Sequence, residues 1–316
     1  MKVLVTGAAG FIGSHLCEAL LREGCAVTGV DNFDPYYGRP IKERNLRGSL
    51  AAKGFTFLEL DLRDGESTAA LLARGWDCVA HLGGRGGVRN SIAEPGLYMS
   101  LNFTATLNIL EGMKSFGGGR LVFASTSSVY GDSPRVPFRE DDPADRPVSP
   151  YSASKRACEL LCHAYHKLYG LDVYALRFFT VYGPRQRPDM AIHKFVHAIS
   201  LGNPIERYGD GSTRRDYTYV DDIIAGVVKA VDRARGYEII NIGGARTSLL
   251  SDVIETIERL LGKEARIVEK PIPPGDVLRT QADNTKAERL LDMRPRVGLE
   301  EGLGRFIHWY EKEQIP

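Results

Sequence analysis

Two residues near the middle of the chain have the types and the spacing for proton transfer. Tyr151 and Lys155 lie four positions apart after Ser149-Pro150, where the pattern predicts the start of a helix. A separation of four places both side chains on one helical face. A free tyrosine has a pKa of about 10, but a nearby ammonium group favours the phenolate. Lowering that pKa by about three units takes roughly 4 kcal/mol, which a close cation and a second positive charge can supply in a partly dry site.

A run of hydroxyl side chains lies upstream of this pair. Ser125, Thr126, Ser127 and Ser128 follow the apolar run Leu121–Ala124. If that run is a strand of an open α/β sheet, the hydroxyls lie at its carboxyl edge, where such sheets bind ligands. A Ser/Thr cluster after a strand is on its own typical of a turn, and Tyr-x3-Lys is common by chance. The chemistry therefore depends on the elements that position these residues.

The first half of the chain alternates short apolar runs with amphipathic segments. Strands buried on both faces read as continuous apolar runs, and strand–helix–strand repetition predicts an α/β fold with a doubly wound parallel sheet. The predicted strands are Val3–Val5, Ala26–Val30, Phe55–Leu60, Cys78–Leu82, Leu121–Ala124 and Val173–Phe179, and the predicted helices include Ile12–Arg22, Leu97–Lys114 and Ser152–Tyr169.

The second half of the chain does not continue this regular alternation of apolar runs and amphipathic segments. Gly and Pro clusters, among them Gly183-Pro184 and Pro271–Gly275, predict loops in a smaller and less regular region. We therefore predict a first domain over residues 1–180 and a smaller α/β domain over residues 181–316. One late apolar run, Glu238–Ile242, predicts a strand that can return to the main sheet, so the two domains can interleave.

Three glycines follow the first predicted strand. Gly7, Gly10 and Gly13 have the spacing G-x2-G-x2-G and precede a predicted helix. Glycine permits a tight turn and a close approach of the backbone to a pyrophosphate, and the helix N-terminus offers free N–H groups. A glycine triplet alone is weak support, but its place between a strand and a helix predicts a dinucleotide site in a Rossmann-type domain.

An acidic residue ends each of the next two predicted strands. Asp31 lies 18 residues beyond Gly13 and can accept hydrogen bonds from adenosine ribose hydroxyls. Because its charge repels a 2′-phosphate, we predict NAD rather than NADP; the alternative is that Asp31 only caps the following turn. Asp61, with Leu62, is expected near the adenine amino group, and a purely structural aspartate is the alternative there.

Composition restricts the classes of function. The 316 residues include 41 Lys and Arg against 40 Asp and Glu, which gives a net charge of +1. Such balance argues against a general nucleic-acid or membrane-surface binder. The five cysteines are scattered, and no apolar stretch reaches the roughly 18 residues of a transmembrane helix. We therefore expect a cytoplasmic protein with reduced thiols.

Taken together, these motifs resemble the extended short-chain dehydrogenase/reductase family, in particular its NAD-dependent nucleotide-sugar epimerases and dehydratases. The resemblance covers essentially the whole chain. It includes the segments Arg177–Pro184, Arg214–Asp222 and Pro274–Val277.

The resemblance implies roles for individual residues. Tyr151 is implied as the acid/base, Lys155 as the residue that lowers its pKa and holds the nicotinamide ribose, and Thr126 as the partner of the sugar O4. A homodimer is implied through the helices that carry Asn102 and Tyr151. The implied cofactor-binding residues are Gly7, Gly10, Phe11, Ile12, Gly13, Asp31, Asn32, Asp61, Leu62, Leu82, Asn102, Ser125, Tyr151 and Lys155.

The hydroxyl cluster indicates the reaction. Dehydratases and decarboxylating members of the family place a carboxylic acid there, whereas this chain has Thr126, Ser127 and Ser128 with no Asp or Glu. The resemblance therefore implies oxidation of a UDP-sugar at C4, rotation of the 4-keto sugar about its diphosphate, and re-reduction on the opposite face.

Several segments resemble the UDP-glucuronate 4-epimerases within this family, namely Asp31–Tyr37, Lys42–Leu46, Thr180 and Gly183–Ala191. Arg187 is then expected to bind the uronate carboxylate, with a solvated loop arginine or a surface pair as the alternative. We expect conversion of UDP-glucuronate to UDP-galacturonate. The alternatives are a UDP-glucose/UDP-galactose 4-epimerase and a catalytically silent dinucleotide-binding scaffold, a class that commonly lacks the tyrosine or the lysine.

The family pattern also implies residues for the nucleotide part of the substrate. Arg215 is expected to bind the diphosphate, and Asp276 is expected to accept from the uridine ribose. The alternative for Arg215 is an ion pair with Asp216 or Asp221. The implied substrate-binding residues are Arg89, Thr126, Ser127, Ser128, Tyr151, Thr180, Arg187, Arg215 and Asp276.

One loop departs from the family pattern. After His81 the family usually has Leu-Ala-Ala, whereas this chain has Leu82-Gly83-Gly84-Arg85, and no role is assigned to Arg85. His193 and His197 are four positions apart, but no third ligand lies near them in the sequence. We expect both histidines to pack on a helix face, and no metal is predicted.

Overall fold

A computed structural model describes residues 1–117 and 119–313. The strands there are β1 (Lys2–Thr6), β2 (Ala26–Asp31), β3 (Phe55–Glu59), β4 (Cys78–His81), β5 (Arg120–Thr126), β6 (Asp172–Phe178), β7 (Thr180–Tyr182), β8 (Ile205–Tyr208), β9 (Arg214–Arg215), β10 (Tyr217–Tyr219), β11 (Tyr237–Ile242), β12 (Ser248–Leu249) and β13 (Ile267–Lys270). The α-helices there are α1 (Phe11–Arg22), α2 (Arg39–Leu50), α3 (Gly65–Leu72), α4 (Val88–Ala93), α5 (Pro95–Met99), α6 (Ala105–Ser115), α7 (Pro150–Tyr169), α8 (Ala191–Ser200), α9 (Val220–Arg233), α10 (Leu250–Leu261), α11 (Thr285–Leu291) and α12 (Leu299–Lys312). A π-helical turn, Ser100–Thr104, joins α5 to α6, and a 3-10 turn, Ser127–Tyr130, follows β5.

Seven strands form one parallel sheet in the order β11-β6-β5-β4-β1-β2-β3. The strand order reverses between β1 and β4, where Thr6 pairs with His81 at the carboxyl end. Open α/β sheets bind ligands in the crevice outside such a switch point. The predicted doubly wound parallel sheet is confirmed, and the late apolar run Glu238–Ile242 lies in β11 at the edge beside β6.

The side chains of the central strands alternate between two cores. Val3 and Val5 of β1 pack in one core, and Leu4 between them packs in the other. All four residues of β4 are buried. Both faces of the sheet are therefore covered, which explains why the central strands read as continuous apolar runs.

The second half of the chain contributes to the main sheet and to small sheets beside it. β7 pairs with β10, β8 with β13, and β9 with β12. α9 packs against α1, and one continuous core includes Val3 of β1 and Leu303 of α12. Segments from beyond residue 180 thus pack in one core with the first predicted domain. The division of the chain into two domains at residue 180 stays a prediction.

Two further features concern the helices and the cysteines. Across residues 1–117 and 119–313, no helix is both long enough and apolar enough to cross a membrane. All five cysteines are buried and form no disulfide.

Candidate active site

The helix that carries Tyr151 is α7, and a capping box fixes its first turn. The Ser149 Oγ accepts a hydrogen bond from the Ser152 N–H at 3.1 Å, and the Ser152 Oγ accepts from the Ser149 N–H at 3.1 Å. Pro150 occupies the first helical position, where the missing N–H costs nothing. These local contacts place Tyr151 at the start of α7, where it is hydrogen-bonded to Thr126 at the end of β5.

The groups around Tyr151 act on its pKa in opposite directions. Burial raises the pKa of the phenol, while the hydrogen bond with Thr126 and the charge of Arg187 act in the opposite direction. Lys155 lies one turn along α7, and its Nζ donates to the carbonyl oxygen of Ala124 at 2.9 Å. Burial lowers the pKa of Lys155. Arg187 is therefore a cation that opposes the rise in the pKa of Tyr151, and the role expected of Lys155 stays a prediction.

The hydroxyl cluster divides between the cavity and the protein interior. Thr126 caps the 3-10 turn, because its Oγ1 accepts from the Ser128 N–H at 3.2 Å. Thr126, Ser127 and Ser128 line the cavity. Ser125 also borders it, but its hydroxyl donates to the buried carboxylate of Glu159 at 2.6 Å. The last three hydroxyls are thus the ones available to a ligand.

The turn that contains Gly7, Gly10 and Gly13 places backbone without side chains at the carboxyl edge of the sheet. Gly7 has a φ of +68°, and a Cβ there would lie 2.9 Å from the backbone of Leu82. A Cβ on Gly13 would lie 2.0 Å from the carbonyl oxygen of Gly7, so side chains are excluded at both positions. Helix α1 begins after Gly10 and has no side-chain cap. Its first N–H groups are therefore available to a phosphate, and the turn fits the pyrophosphate of NAD.

Asp31 ends β2 with its side chain in the same cavity. The carboxylate accepts from the N–H groups of Ala9 at 3.2 Å and Phe33 at 2.8 Å. The Nζ of Lys42 lies 3.4 Å from Asp31 Oδ1, and both side chains are buried. Asp31 therefore caps the turn and borders the cavity at once, so its two interpretations are compatible.

Asp61 lies beside Asn32 at the same end of the cavity. Its Oδ2 accepts from Asn32 Nδ2 at 3.1 Å and from Arg63 Nη2 at 2.6 Å. Hydrogen bonds from Arg63 lower the pKa of Asp61 to about 2, although burial opposes the shift. Asp61 is thus a fixed negative charge, and Leu62 next to it borders the cavity.

Arg187 reaches the cavity from the loop after β7. Its Nε and Nη2 donate to Asp189 Oδ1 at 2.9 Å and Oδ2 at 3.0 Å. A Cβ on Gly86 would lie 3.1 Å from Arg187 Nη1 and 3.7 Å from the Tyr151 hydroxyl oxygen. The guanidinium and the phenol therefore border the same small space. Arg187 is thus paired with Asp189, its side chain borders the cavity, and its expected role toward the uronate carboxylate stays a prediction.

Most of the predicted site residues line one cavity of about 380 Å³ at the carboxyl edge of the sheet. That volume is within the usual range for small-molecule sites. The predicted residues that border it are Gly7, Gly10, Phe11, Ile12, Gly13, Asp31, Asn32, Asp61, Leu62, Leu82, Ser125, Thr126, Ser127, Ser128, Tyr151, Lys155, Thr180 and Arg187.

Asn102 is not among the residues that border this cavity, and its expected place along the cofactor stays a prediction. Its side chain is buried, and its Oδ1 accepts from the Arg85 N–H at 2.9 Å. Its Nδ2 donates to the Arg85 carbonyl oxygen at 3.1 Å and to Ser154 Oγ at 2.9 Å. A Cβ on Gly84 would lie 2.6 Å from Asn102 Oδ1. Asn102 therefore holds the loop that departs from the family pattern, and the glycine leaves room for it.

Arg89, Arg215 and Asp276 form a separate cluster outside the cavity lining. Arg89 Nη2 and Asp276 Oδ2 are 2.8 Å apart. Burial lowers the pKa of Arg215, on which the charges of Asp276 and Arg89 also act. Neither alternative pair of Arg215, with Asp216 or with Asp221, is formed within the described ranges.

The two histidines of α8 make structural contacts. His193 Nδ1 is 2.8 Å from the Gln186 carbonyl oxygen, and His197 Nδ1 is 2.7 Å from the Tyr310 hydroxyl. In residues 1–117 and 119–313, no group of three His, Cys, Asp or Glu side chains could hold a metal ion.

Sequence reasoning missed the partners of the predicted residues. Asp189 follows Arg187 by two positions, and this opposite charge in one loop was a usable signal. Lys42 lies in the segment Lys42–Leu46, whose resemblance to the family does not predict a partner for it. Glu159 bonds Arg177 at 2.9 and 2.8 Å, and because the two residues belong to a helix and a strand, no spacing rule pairs them.

Residues 3–243 match the profile of the NAD dependent epimerase/dehydratase family, and the chain belongs to this family. It is 45% identical over 315 residues to a UDP-glucuronate 4-epimerase of Thermodesulfobacterium geofontis, which covers 99% of this chain and 96% of that protein. A crystal structure of UDP-glucuronic acid 4-epimerase from Bacillus cereus in complex with UDP-glucuronic acid and NAD has a TM-score of 0.94 and 38% identity, covering 99% of this chain and 100% of that chain. A UDP-glucose 4-epimerase of Thermotoga maritima with UDP-glucose has a TM-score of 0.92 and 31% identity, covering 100% of both chains.

These likenesses confirm the predicted family and the Rossmann-type fold. The family is NAD dependent, so the predicted cofactor is confirmed as well. Identity is higher to the two UDP-glucuronate 4-epimerases than to the UDP-glucose 4-epimerase, which favours the main interpretation of the reaction over its alternative.

Proposed function

We propose that this protein is an isomerase that interconverts UDP-glucuronate and UDP-galacturonate by epimerisation at C4. The observation that carries the proposal is that Arg187 Nη1 and the Tyr151 hydroxyl border one small space. A cation beside an acid/base tyrosine suits a sugar that bears a carboxylate on the carbon next to the reacting one. The activities named for the relatives support the same assignment.

Tyr151, Thr126 and Lys155 have separate roles in the reaction at C4. When bound, NAD supplies the acceptor for the C4 hydride, its donor in the return step, and a positive charge beside Tyr151. Tyr151 as phenolate takes the proton from O4 and later returns it. Thr126, hydrogen-bonded to Tyr151, orients O4. Lys155, held on the Ala124 carbonyl, holds the nicotinamide ribose.

The carboxylate needs its own restraint, because the 4-keto sugar is a β-keto acid. Such an acid loses CO2 when its C5–C6 bond aligns with the C4 carbonyl. Arg187, Thr180, Ser127 and Ser128 line the cavity and hold the carboxylate out of that alignment. The same three-residue hydroxyl cluster contains no carboxyl group to assist elimination, which favours epimerisation over dehydration.

The second cluster is proposed as the anchor about which the sugar turns. Arg215 forms no ion pair within the described residues, so its charge is available to a diphosphate. Asp276 accepts from the uridine ribose, and Arg89 is its partner at 2.8 Å. Residues 1–180 would then bind NAD, and residues 181–316 would supply most of the nucleotide site.

A product assay tests this function. The purified protein is incubated separately with UDP-glucuronate and UDP-glucose, the products are separated by chromatography, and CO2 is measured. We expect UDP-galacturonate without CO2, and a kcat/KM at least about a hundredfold higher than for UDP-glucose, because a neutral sugar leaves Arg187 Nη1 without a carboxylate acceptor. Equal efficiency on UDP-glucose would contradict the proposal, and bound NAD without any turnover would favour the silent scaffold.

The protein is further proposed to act as a cytoplasmic homodimer through α5, α6 and α7. Leu160 and Leu168 of α7 are 56% and 70% exposed, which is consistent with a partner on that helix. Five buried thiols suit a reducing compartment. Light scattering should give twice the chain mass of 34.9 kDa, and a monomer would contradict the dimer.

A further inference from the structure

The cation of the site is bound on two of its three nitrogens by one carboxylate. Arg187 Nε donates to Asp189 Oδ1 at 2.9 Å, and Nη2 donates to Oδ2 at 3.0 Å. A bidentate pair fixes the plane of the guanidinium as well as its place. The remaining nitrogen, Nη1, is the one that borders the space next to Tyr151. Asp189 therefore decides which edge of Arg187 meets a ligand.

Asp189 is itself held by Tyr36, from the loop after β2. The Tyr36 hydroxyl donates to Asp189 Oδ2 at 3.1 Å and accepts from Asn90 Nδ2 at 3.0 Å. The Arg187 guanidinium lies over the Tyr36 ring, 5.2 Å from its centroid. A Cβ on Gly87 would lie 2.7 Å from the Tyr36 hydroxyl, so the glycine makes this approach possible. One tyrosine thus contacts both members of the pair.

A second arginine, Arg85, lies over the same ring and is paired with two carboxylates instead of one. The Arg85 guanidinium is 5.2 Å from the Tyr36 centroid. It meets two carboxylates, with Nε 2.8 Å from Asp34 Oδ1 and Nη1 3.0 Å from Glu94 Oε2. Arg187 meets one carboxylate within the part of the chain that the structure describes. A substrate carboxylate would therefore complete around Arg187 the arrangement that Arg85 already has.

We propose that Asp189 and Tyr36 are positioning residues that fix the plane of the Arg187 guanidinium and so decide whether the 4-keto uronate is re-reduced or loses CO2. This inference deepens the proposed function and rests on it. A fixed guanidinium holds the carboxylate in one orientation while the sugar ring turns. A guanidinium that is free to rotate follows the carboxylate into alignment with the C4 carbonyl.

The two outcomes differ in one bond. In the loss of CO2, the C5–C6 bond breaks, its electron pair forms an enolate over C5 and C4, and C5 then takes a proton from the solvent. The products are CO2 and a UDP-4-keto-pentose, and the cofactor is left reduced. In epimerisation C4 regains hydride, O4 regains its proton from Tyr151, and the carboxylate is retained.

Two substitutions test the positioning of Arg187 without removing its charge. Asp189→Asn removes the bidentate acceptor, and Tyr36→Phe keeps the ring but removes the hydroxyl. We expect each to raise the ratio of CO2 and keto-pentose to UDP-galacturonate by about tenfold or more, because small misplacements of positioning groups change rates on this scale. The Kd for UDP-glucuronate, measured by calorimetry, should change by a smaller factor, because Arg187 keeps its charge.

The matched control is Glu18→Gln. Glu18 Oε1 is 2.8 Å from Arg185 Nη2, so it anchors the same loop without touching Arg187. Its product ratio should equal that of the unaltered protein. A second control is the Arg187→Ala background, in which Asp189→Asn should have no further effect on the ratio. Thermal unfolding checks that each variant folds. If Asp189→Asn does not fold, Tyr36→Phe alone tests the inference.

Three results would overturn the inference: unchanged ratios in Asp189→Asn and Tyr36→Phe, an equal rise in Glu18→Gln, or an undiminished effect in the Arg187→Ala background. The failure of the proposed function looks different, because the unaltered protein then forms no UDP-galacturonate at all. That result would remove both proposals, whereas the other three leave the epimerase intact.

Discussion

Proton transfer at this site depends on one phenol, which is hydrogen-bonded to Thr126 and lies near the charge of Arg187. Tyr151→Phe keeps the ring and removes the group that carries the proton. We expect kcat for UDP-glucuronate epimerisation to fall by about 10²- to 10⁴-fold. The Kd for UDP-glucuronate should change little, because Arg187 is untouched. Product chromatography and calorimetry measure the two quantities, and an unchanged kcat would rule out Tyr151 as the acid/base.

Cofactor choice depends on a second residue, Asp31, whose Oδ1 lies 3.4 Å from Lys42 Nζ. Asp31→Ala removes the charge that repels a 2′-phosphate and leaves Lys42 free to bind one. We expect the preference for NAD over NADP to fall by at least about tenfold, the scale of one charge-assisted hydrogen bond. Competition of NADP for bound NAD measures the ratio. Asp61→Ala is the control and should leave it unchanged, whereas an unchanged ratio in Asp31→Ala would contradict the assignment.

Residue types predicted much of the site, because Tyr151 and Lys155 share one helix turn and Asp31 ends one strand. Their partners could not be predicted in the same way. Asn102 uses both ends of its amide on the loop at Arg85 and on α7, and this depends on how the two segments meet in space. The same holds for Arg187, whose orientation depends on a tyrosine from another loop.

Between elements, a buried ion pair joins α7 to the strands behind it. Glu159 of α7 bonds Arg177 of β6 at 2.9 and 2.8 Å, and the Ser125 hydroxyl of β5 donates to it at 2.6 Å. Glu159→Gln leaves the Arg177 charge buried without a partner, so we expect a loss of about 3–5 kcal/mol in the free energy of unfolding. Urea titration measures it. Glu300→Gln, in an exposed pair with Arg259, is the control and should change little; an equally small effect for Glu159→Gln would contradict the argument.

Long elements were predictable and short ones were not. The central strands follow from apolar runs, since both faces of the sheet are covered. The predicted helix Leu97–Lys114 is wrong in one respect, because the π-helical turn Ser100–Thr104 interrupts it. Within that turn, the carbonyl oxygen of Asn102 accepts from Thr106 Oγ1 at 2.6 Å. Strands of two residues, such as β9 and β12, have no sequence pattern of their own, because they form only where distant segments meet.

For the molecule as a whole, two buried histidines contribute to the response to acid. Burial lowers the pKa of His15 to about 4 and that of His81 to about 3, against an ordinary value of about 6.5. Both remain neutral in the folded chain, while the unfolded chain takes up protons as the pH falls below 6.5. Their contribution to stability is therefore fully present above that pH and is lost as the pH falls, down to about pH 4 for His15 and about pH 3 for His81, at roughly 1.4 kcal/mol per pH unit for each histidine.

Urea unfolding at pH 7, 6 and 5 with NAD at a fixed concentration measures this slope. His81→Gln removes one of the two groups and should reduce the slope by about one proton. An unchanged slope in His81→Gln would show that this imidazole is already protonated in the folded chain.

Oxidation and re-reduction of a single carbon within one closed site can be followed with a label. UDP-glucuronate that carries deuterium at C4 is converted by the purified protein, and the UDP-galacturonate formed is examined by NMR. We expect the deuterium to remain on C4 of the product, with no proton from water in its place. Loss of the label to the solvent, or no UDP-galacturonate from a protein that holds NAD, would contradict C4 epimerisation at this site.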